Sequence, residues 1–151
     1  MVLDIIFYCK NILLEVNFME NNELIELAIK AKKNACGLTN YKVGVALRTK
    51  TGKIYTGCNL GSQNGLYNIC AERTAIIKML SEGEKEIETI ALVGGPEDEL
   101  VFTSPCGICR QLIFDLGKDI VVVCAYMENG ELKQDIFLSK DLLPGGYIMQ
   151  E

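Results

Sequence analysis

Cys70-Ala71-Glu72-Arg73 and Pro105-Cys106-Gly107-Ile108-Cys109 are the two stretches around which the chain is organised. They supply three thiols and one carboxylate at positions that predicted helices can direct to a single point. The sequence contains no histidine. Ser-His and Cys-His triads, histidine-ligated metal sites and imidazole acid-base chemistry are therefore excluded. Any reaction must use a carboxylate, a thiolate, an amine, a hydroxyl or a bound metal.

The composition is that of an ordinary globular protein. A chain of 151 residues fits one domain with a sizeable core, and 49% of the residues are hydrophobic. The formal net charge of -5 argues against nucleic acid as a partner, because phosphate tracking needs a basic stripe. Seven cysteines, an odd count without a convincing secretion signal, favour metal binding or free thiols over a disulfide framework. We expect a cytoplasmic protein.

The first eighteen residues form an apolar start that differs from a targeting segment. Asp4 stands where a signal peptide carries basic residues, Lys10 interrupts the apolar run, and no small-residue cleavage site follows. The run is also too short to span a bilayer, so no membrane association is expected. We expect residues 1–18 to be an extension without an assigned function and the folded domain to span residues 19–151.

Hydrophobic periodicity predicts three helices and five strands in the order αββαβαββ. The predicted helices cover residues 20–35, 70–80 and 106–116. The predicted strands cover residues 43–48, 53–58, 87–93, 120–126 and 132–138. Residues 59–68, rich in glycine and without a period, are predicted to form a binding loop. This order indicates a three-layer α/β/α domain built on a mixed sheet of about five strands.

The cysteine spacing predicts a metal site. Cys106 and Cys109 lie one helical turn apart, and Cys70 adds a third thiol from the start of another predicted helix. Helix N-termini favour thiolate over thiol, and zinc prefers such soft ligands. Three protein ligands leave a fourth position open, as in catalytic zinc sites. The alternatives are buried structural cysteines with a chance spacing, or a closed structural site completed by Cys58 or Cys124.

Two charged residues follow Cys70. Glu72 is close enough to the metal to move protons between a water molecule and a substrate; alternatively, it only favours the first turn of its helix. Arg73 is either a solvated helix charge or a guanidinium that offsets the negative charge of three thiolates on a divalent ion.

Five stretches together resemble the small homotetrameric zinc-dependent cytidine deaminases. They are Cys70–Ala75, Ser104–Gln111, Val43–Leu47, Gly57–Asn59 and Leu142–Gly145, and the likeness extends over roughly residues 20–147. The resemblance implies a cytidine-deaminase-like catalytic domain that hydrolyses cytidine or deoxycytidine to the uracil nucleoside and ammonia in pyrimidine salvage. It also implies a homotetramer with one Zn²⁺ in each subunit.

The resemblance also implies roles for single residues in the zinc half of the site. Cys70, Cys106 and Cys109 match the zinc ligands, Glu72 matches the proton shuttle, and Arg73 matches an arginine that tempers the thiolates.

In the substrate half, the backbone of Ala71 matches the group that holds the pyrimidine edge, and Asn59 matches an asparagine bonded to the ribose. Tyr41 stands where the family usually has a phenylalanine beside the base. Tyr147 stands where a C-terminal phenylalanine reaches a neighbouring subunit's site.

Two departures concern the sugar. Gly61 occupies the position of a glutamate that binds the ribose 3′-hydroxyl, and Gly65 stands where tyrosine is common. Relatives that deaminate the cytosine of blasticidin S also lack this glutamate and end in a tail like residues 142–147, but their zinc motif lacks the arginine kept here as Arg73. Three hypotheses therefore stay open: a cytidine deaminase, a deaminase of a blasticidin S-type nucleoside analogue, and a non-catalytic zinc-binding module.

Overall fold

The computed structural model describes residues 19–37 and 39–149. Its helices are α1 (residues 19–32), α2 (Ala71–Ser81), α3 (Gly107–Leu116) and the short α4 (Ser139–Leu142). Its strands are β1 (Tyr41–Thr49), β2 (Ile54–Cys58), β3 (Ile87–Pro96), β4 (Val121–Glu128) and β5 (Glu131–Leu138). The predicted order is confirmed except for α4, which was not expected. The predicted extension, residues 1–18, lies outside the described residues.

The five strands form one mixed sheet in the order β2-β1-β3-β4-β5. β1 pairs antiparallel with β2 and β3, β3 pairs parallel with β4, and β5 runs antiparallel to β4. The hairpin between β1 and β2 is closed by a hydrogen bond from the Gly52 N–H to the Thr49 carbonyl (2.9 Å). The parallel β3–β4 pair needs a crossover connection, and α3 provides it.

Helices cover both faces of the sheet, so the predicted three layers are confirmed. Because side chains alternate along a strand, Val45 and Leu47 of β1 face one core and Ala46 faces the other. The first core contains Ile76 of α2 and Ile113 of α3. The second core contains α1, with the fully buried Leu24, Ile25 and Ala28. Helices α2 and α3 therefore pack on the same face, which allows their N-termini to meet.

Strands β1 and β3 are longer than predicted. Gly94 and Gly95 were expected to end β3, but they continue the ladder opposite Val43 and Lys42. The side chain of Thr103 packs where a Gly94 side chain would stand, because a Cβ built there would lie 2.5 Å from the Thr103 Oγ1. Glycine at this point permits a close approach of the next segment rather than a turn.

The helix boundaries differ from the prediction by one to three residues. Cys70 and Cys106 do not belong to their helices but precede them as N-caps in extended conformation, with φ/ψ of -72°/150° and -67°/168°. Helix α1 ends at residue 32 instead of 35 because the Asn34 and Ala35 N–H groups bond to the carbonyls of Ala31 and Lys32 in tighter turns. None of the described helices has the length and hydrophobicity needed to cross a bilayer.

Candidate metal centre and adjoining pocket

The thiols of Cys70, Cys106 and Cys109 converge at one point. Their three sulfur atoms lie within 4.8 Å of one another, and Cys70 Sγ is 3.7 Å from Cys106 Sγ. Cys70 and Cys106 occupy the N-cap positions of α2 and α3, while Cys109 is buried one turn into α3. The convergence follows from the packing of the two helices on the same face of the sheet.

This donor set fits zinc. Tetrahedral coordination with Zn–S distances of about 2.3 Å requires sulfur atoms about 3.8 Å apart, close to the observed separation of Cys70 and Cys106. Cys58 and Cys124 lie outside this cluster, so the described residues supply three ligands rather than a closed set of four. The chance-spacing hypothesis is therefore disfavoured, and the geometry matches a site with an open position.

Burial and mutual proximity shift the pKa values of the three thiols in different directions. Burial raises the pKa of Cys70, and the hydrogen bond with Cys106 raises it further. Burial, followed by the negative charge of Glu72, raises the pKa of Cys109 strongly. Burial also disfavours the Cys106 thiolate, but the backbone N–H of Cys109 and the two neighbouring thiols outweigh burial and lower the pKa of Cys106. A divalent ion bound by Cys70, Cys106 and Cys109 would supply the positive charge that favours the thiolate form of all three.

Glu72 lies on the first turn of α2 and is only 4% exposed, yet it lines the cavity beside the thiols. Burial raises the pKa of Glu72; a backbone hydrogen bond, the Cys109 thiol and the charge of Arg73 oppose this shift. A carboxylate whose pKa is moved towards neutrality exchanges protons readily. The helix-dipole interpretation accounts for the position of Glu72 in the sequence but not for its burial in the cavity wall.

Arg73 faces the cluster rather than solvent. Its Nη2 donates to the Asn68 carbonyl (2.9 Å) and lies 3.9 Å from Cys70 Sγ. The interaction with Cys70 raises the pKa of Arg73. Its Nε is buried and has no hydrogen-bond partner among the described residues. This position suits a guanidinium that offsets thiolate charge, as the sequence predicts.

A cavity of about 270 Å³ opens beside the cluster. Four residues predicted to bind substrate or move protons line it: Tyr41, Asn59, Ala71 and Glu72. Gly61 lines it as well, at the position where the sequence departs from the resembled family.

Asn59 is fixed by the backbone of β1. Its Oδ1 accepts a hydrogen bond from the Val43 N–H (2.7 Å), and its Nδ2 donates to the Tyr41 carbonyl (3.1 Å). The side-chain amide thereby anchors the start of β1, and its second N–H has no hydrogen-bond partner among residues 19–37 and 39–149. Asn59 thus has a structural task that the sequence did not reveal.

Tyr147 lies outside this cavity, unlike the other predicted substrate-binding residues. Its side chain is 69% exposed, and its carbonyl accepts a hydrogen bond from Gln111 Nε2 (3.0 Å). Because its predicted role concerns a neighbouring subunit, that role stays a prediction.

Several cavity residues received no individual role from the sequence. Ile69 and Thr103 directly precede the two zinc motifs, Asn68 ends the predicted binding loop, and Ser104 begins the second motif. Asn68 Oδ1 accepts hydrogen bonds from the backbone N–H and the hydroxyl of Ser62, which fold the loop before Cys70. The position of these four residues at or next to the zinc motifs was the one feature of the sequence that could have identified them. It does not indicate which of the neighbouring residues face the cavity.

Comparisons with known proteins identify the family to which the chain belongs. The family model for the cytidine and deoxycytidylate deaminase zinc-binding region matches residues 19–125. A probable cytidine deaminase of Dictyostelium discoideum is 35% identical over 136 residues, covering 87% of this chain and 88% of that protein. A blasticidin-S deaminase of Bacillus cereus is 34% identical over 130 residues, covering 83% of this chain and 90% of that protein.

A solved structure agrees with the computed fold. The crystal structure of a cytidine deaminase from Burkholderia pseudomallei superposes with a TM-score of 0.73 at 37% sequence identity, covering 83% of this chain and 98% of that one. Fold, thiol cluster and sequence similarity therefore agree, and the chain belongs to the cytidine and deoxycytidylate deaminase family.

Proposed function

We propose that the protein hydrolyses a cytosine nucleoside, most simply cytidine or deoxycytidine, to the uracil nucleoside and ammonia. The observation that carries this proposal is the buried Glu72 in the wall of a cavity that Cys70 and Cys106 of the three-thiol cluster also line. The names of the relatives from Dictyostelium discoideum and Burkholderia pseudomallei support the same activity.

In this mechanism, three cysteines bind the metal, Glu72 transfers protons and Arg73 balances charge. Cys70, Cys106 and Cys109 would hold one zinc ion in each subunit, and bound zinc lowers the pKa of a water molecule so that it attacks at neutral pH. Glu72 accepts one proton of the attacking water and delivers it to N3 of cytosine. It then takes the second proton of that water from the hydroxyl on C4 and passes it to the 4-amino group. The C4–N bond then breaks, ammonia leaves, and the oxygen of water stays on C4. Arg73 offsets the negative charge of the thiolates.

The substrate is held by the walls of the cavity. The backbone of Ala71 would bind the pyrimidine edge, the free N–H of Asn59 would bind the sugar, and the ring of Tyr41 would lie beside the base. These assignments follow the resemblance to the family and are supported by the position of each residue in the lining of the cavity.

A second candidate is deamination of a blasticidin S-type analogue. It is favoured by Gly61 in the cavity wall, which offers no carboxylate to a ribose hydroxyl, and by the relative named blasticidin-S deaminase. A lost hydrogen bond to a charged group weakens binding by about 1.5–3 kcal/mol, so Gly61 should weaken the binding of a ribose 3′-hydroxyl by that amount relative to a glutamate there.

An ultraviolet assay of zinc-loaded protein with cytidine, deoxycytidine and blasticidin S in parallel tests both candidates. We expect the cytosine absorption band to decay with the two plain nucleosides, with the higher kcat/KM on one of them. Decay only with blasticidin S would move the assignment to the second candidate. No decay with any of the three would contradict both.

We further propose that the protein is a cytoplasmic homotetramer acting in pyrimidine salvage. This assembly would give the exposed Tyr147 a neighbouring subunit to contact. Light scattering should report four times the chain mass, and a monomer at assay concentration would contradict the proposed assembly.

A further inference from the structure

A hydroxyl pair joins two distant parts of the chain at the cavity. The hydroxyl of Tyr41 lies 2.7 Å from Thr103 Oγ1, and Thr103 Oγ1 lies 3.0 Å from the Val101 carbonyl. A threonine hydroxyl has one hydrogen to donate, and the carbonyl can only accept it. Tyr41 is therefore the donor to Thr103, and the three groups form a directed chain.

Thr103 is held firmly enough to act as an anchor. Its side chain packs over Gly94 of β3, where an added Cβ would lie 2.5 Å from Thr103 Oγ1 and 2.8 Å from Cγ2. Gly94 is itself paired with Val43 of β1, and the Val101 N–H donates to the Gly94 carbonyl (2.8 Å). Thr103 thus rests on the central strands of the sheet.

Tyr41 is less firmly held by packing. Tyr41 stands at the start of β1 and is 39% exposed, so part of the residue lies open to solvent. Its carbonyl is fixed by Asn59 Nδ2, but this bond does not orient the ring. In the described structure the hydrogen bond to Thr103 is the polar contact that sets the direction of the phenol.

Both side chains line the substrate cavity. Thr103 also belongs to the segment that leads through Pro105 to the predicted zinc ligand Cys106. The hydrogen bond therefore fixes the ring of Tyr41 relative to the segment that carries part of the metal centre.

We propose that Thr103 is a positioning residue for substrate binding. Through its hydrogen bond it holds the Tyr41 ring as a rigid wall of the cavity, so that substrate does not have to order this side chain on binding. The inference rests on the proposed function, because it assigns the wall to the cytosine nucleoside. It requires no contact between Thr103 and the reacting atoms.

The test is a double-mutant cycle of Thr103→Val and Tyr41→Phe, measured on the zinc-loaded protein with the nucleoside it turns over best. Each single variant removes one hydroxyl of the pair and should raise KM by about 3- to 10-fold, the range expected for one neutral hydrogen bond. The value of kcat should stay within about twofold, because the reacting groups are untouched. The double variant should be no worse than the single variants, since all three lack the same bond.

Matched controls separate this role from general destabilisation. Thr49→Val removes a hydroxyl that bonds to Thr51 at the far end of β1, and Tyr55→Phe removes a phenol that bonds to Glu82. Both should leave KM unchanged. Zinc content should equal that of the wild type in every variant.

An unchanged KM in Thr103→Val would overturn the inference. So would a double variant whose increase in KM is the product of the two single increases, or variants in which kcat falls while KM stays the same. Failure of the proposed function has a different signature, since the wild-type protein itself would then turn over no cytosine nucleoside. Urea unfolding of the same four proteins measures the coupling of the two hydroxyls without substrate, and zero coupling there would also overturn the inference.

Discussion

Glu72→Gln is expected to lower kcat for deamination by about 10²- to 10⁴-fold, the usual range for loss of a general acid-base group. Glutamine keeps the shape of the side chain in its buried position but neither accepts nor releases a proton at neutral pH. Proton transfer from water to the cytosine ring and the amino group then has no carrier. Steady-state kinetics with the preferred nucleoside measures the effect.

Zinc content and folding should be nearly unchanged in this variant, since Glu72 is not one of the three clustered ligands. Glu26→Gln, at an exposed glutamate of α1, is the matched control and should retain full activity. A fully active Glu72→Gln protein would remove the proposed mechanism. The hypothesis of a non-catalytic zinc module predicts a different pattern, in which neither variant changes any activity because the wild type has none.

Cys109→Ser is expected to abolish activity and to weaken zinc binding. The loss should exceed the 10- to 100-fold seen when a residue hydrogen-bonded to a metal ligand is replaced, because Cys109 is itself a proposed ligand. Cys109 is fully buried between the sheet and the thiols of Cys70 and Cys106, so no solvent ligand can take its place without rearrangement. Because metal binding contributes to folding free energy, the variant should also unfold at a lower temperature than the zinc-loaded wild type.

Metal analysis by mass spectrometry and a thermal unfolding scan measure these effects. Cys36→Ser serves as the control, because Cys36 is an exposed thiol outside the cluster and should leave both quantities unchanged. A Cys109→Ser protein with one zinc per chain and wild-type turnover would show that the ligand set is wrong.

The metal centre was the part of the molecule most open to prediction from sequence. The spacing of Cys106 and Cys109 lies within one helical turn, and Glu72 is fixed relative to Cys70 by the same local geometry. Such short-range relations follow from helix periodicity alone. The three layers were also predictable, because the alternation of apolar side chains along β1 marks two buried faces.

The features that the sequence did not predict depend on contacts between segments far apart in the chain. Gly94 and Gly95 have the local character of a turn, and only their pairing with β1 keeps them in a strand. The contact between Tyr41 and Thr103 joins residues 62 positions apart, and nothing in either local sequence predicts it. The two bonds that tie Asn59 to β1 likewise require the folded sheet.

The central claim is that the protein replaces the 4-amino group of a cytosine nucleoside with an oxygen atom from water. The most direct measurement is a reaction of zinc-loaded protein with cytidine in H₂¹⁸O, followed by mass spectrometry of the nucleoside product and determination of ammonia. The account predicts uridine that carries one heavy oxygen on C4 for each ammonia released, and formation of this product about 10²- to 10⁴-fold more slowly by the Glu72→Gln protein. Unchanged cytidine, or a product without the heavy oxygen, would contradict it.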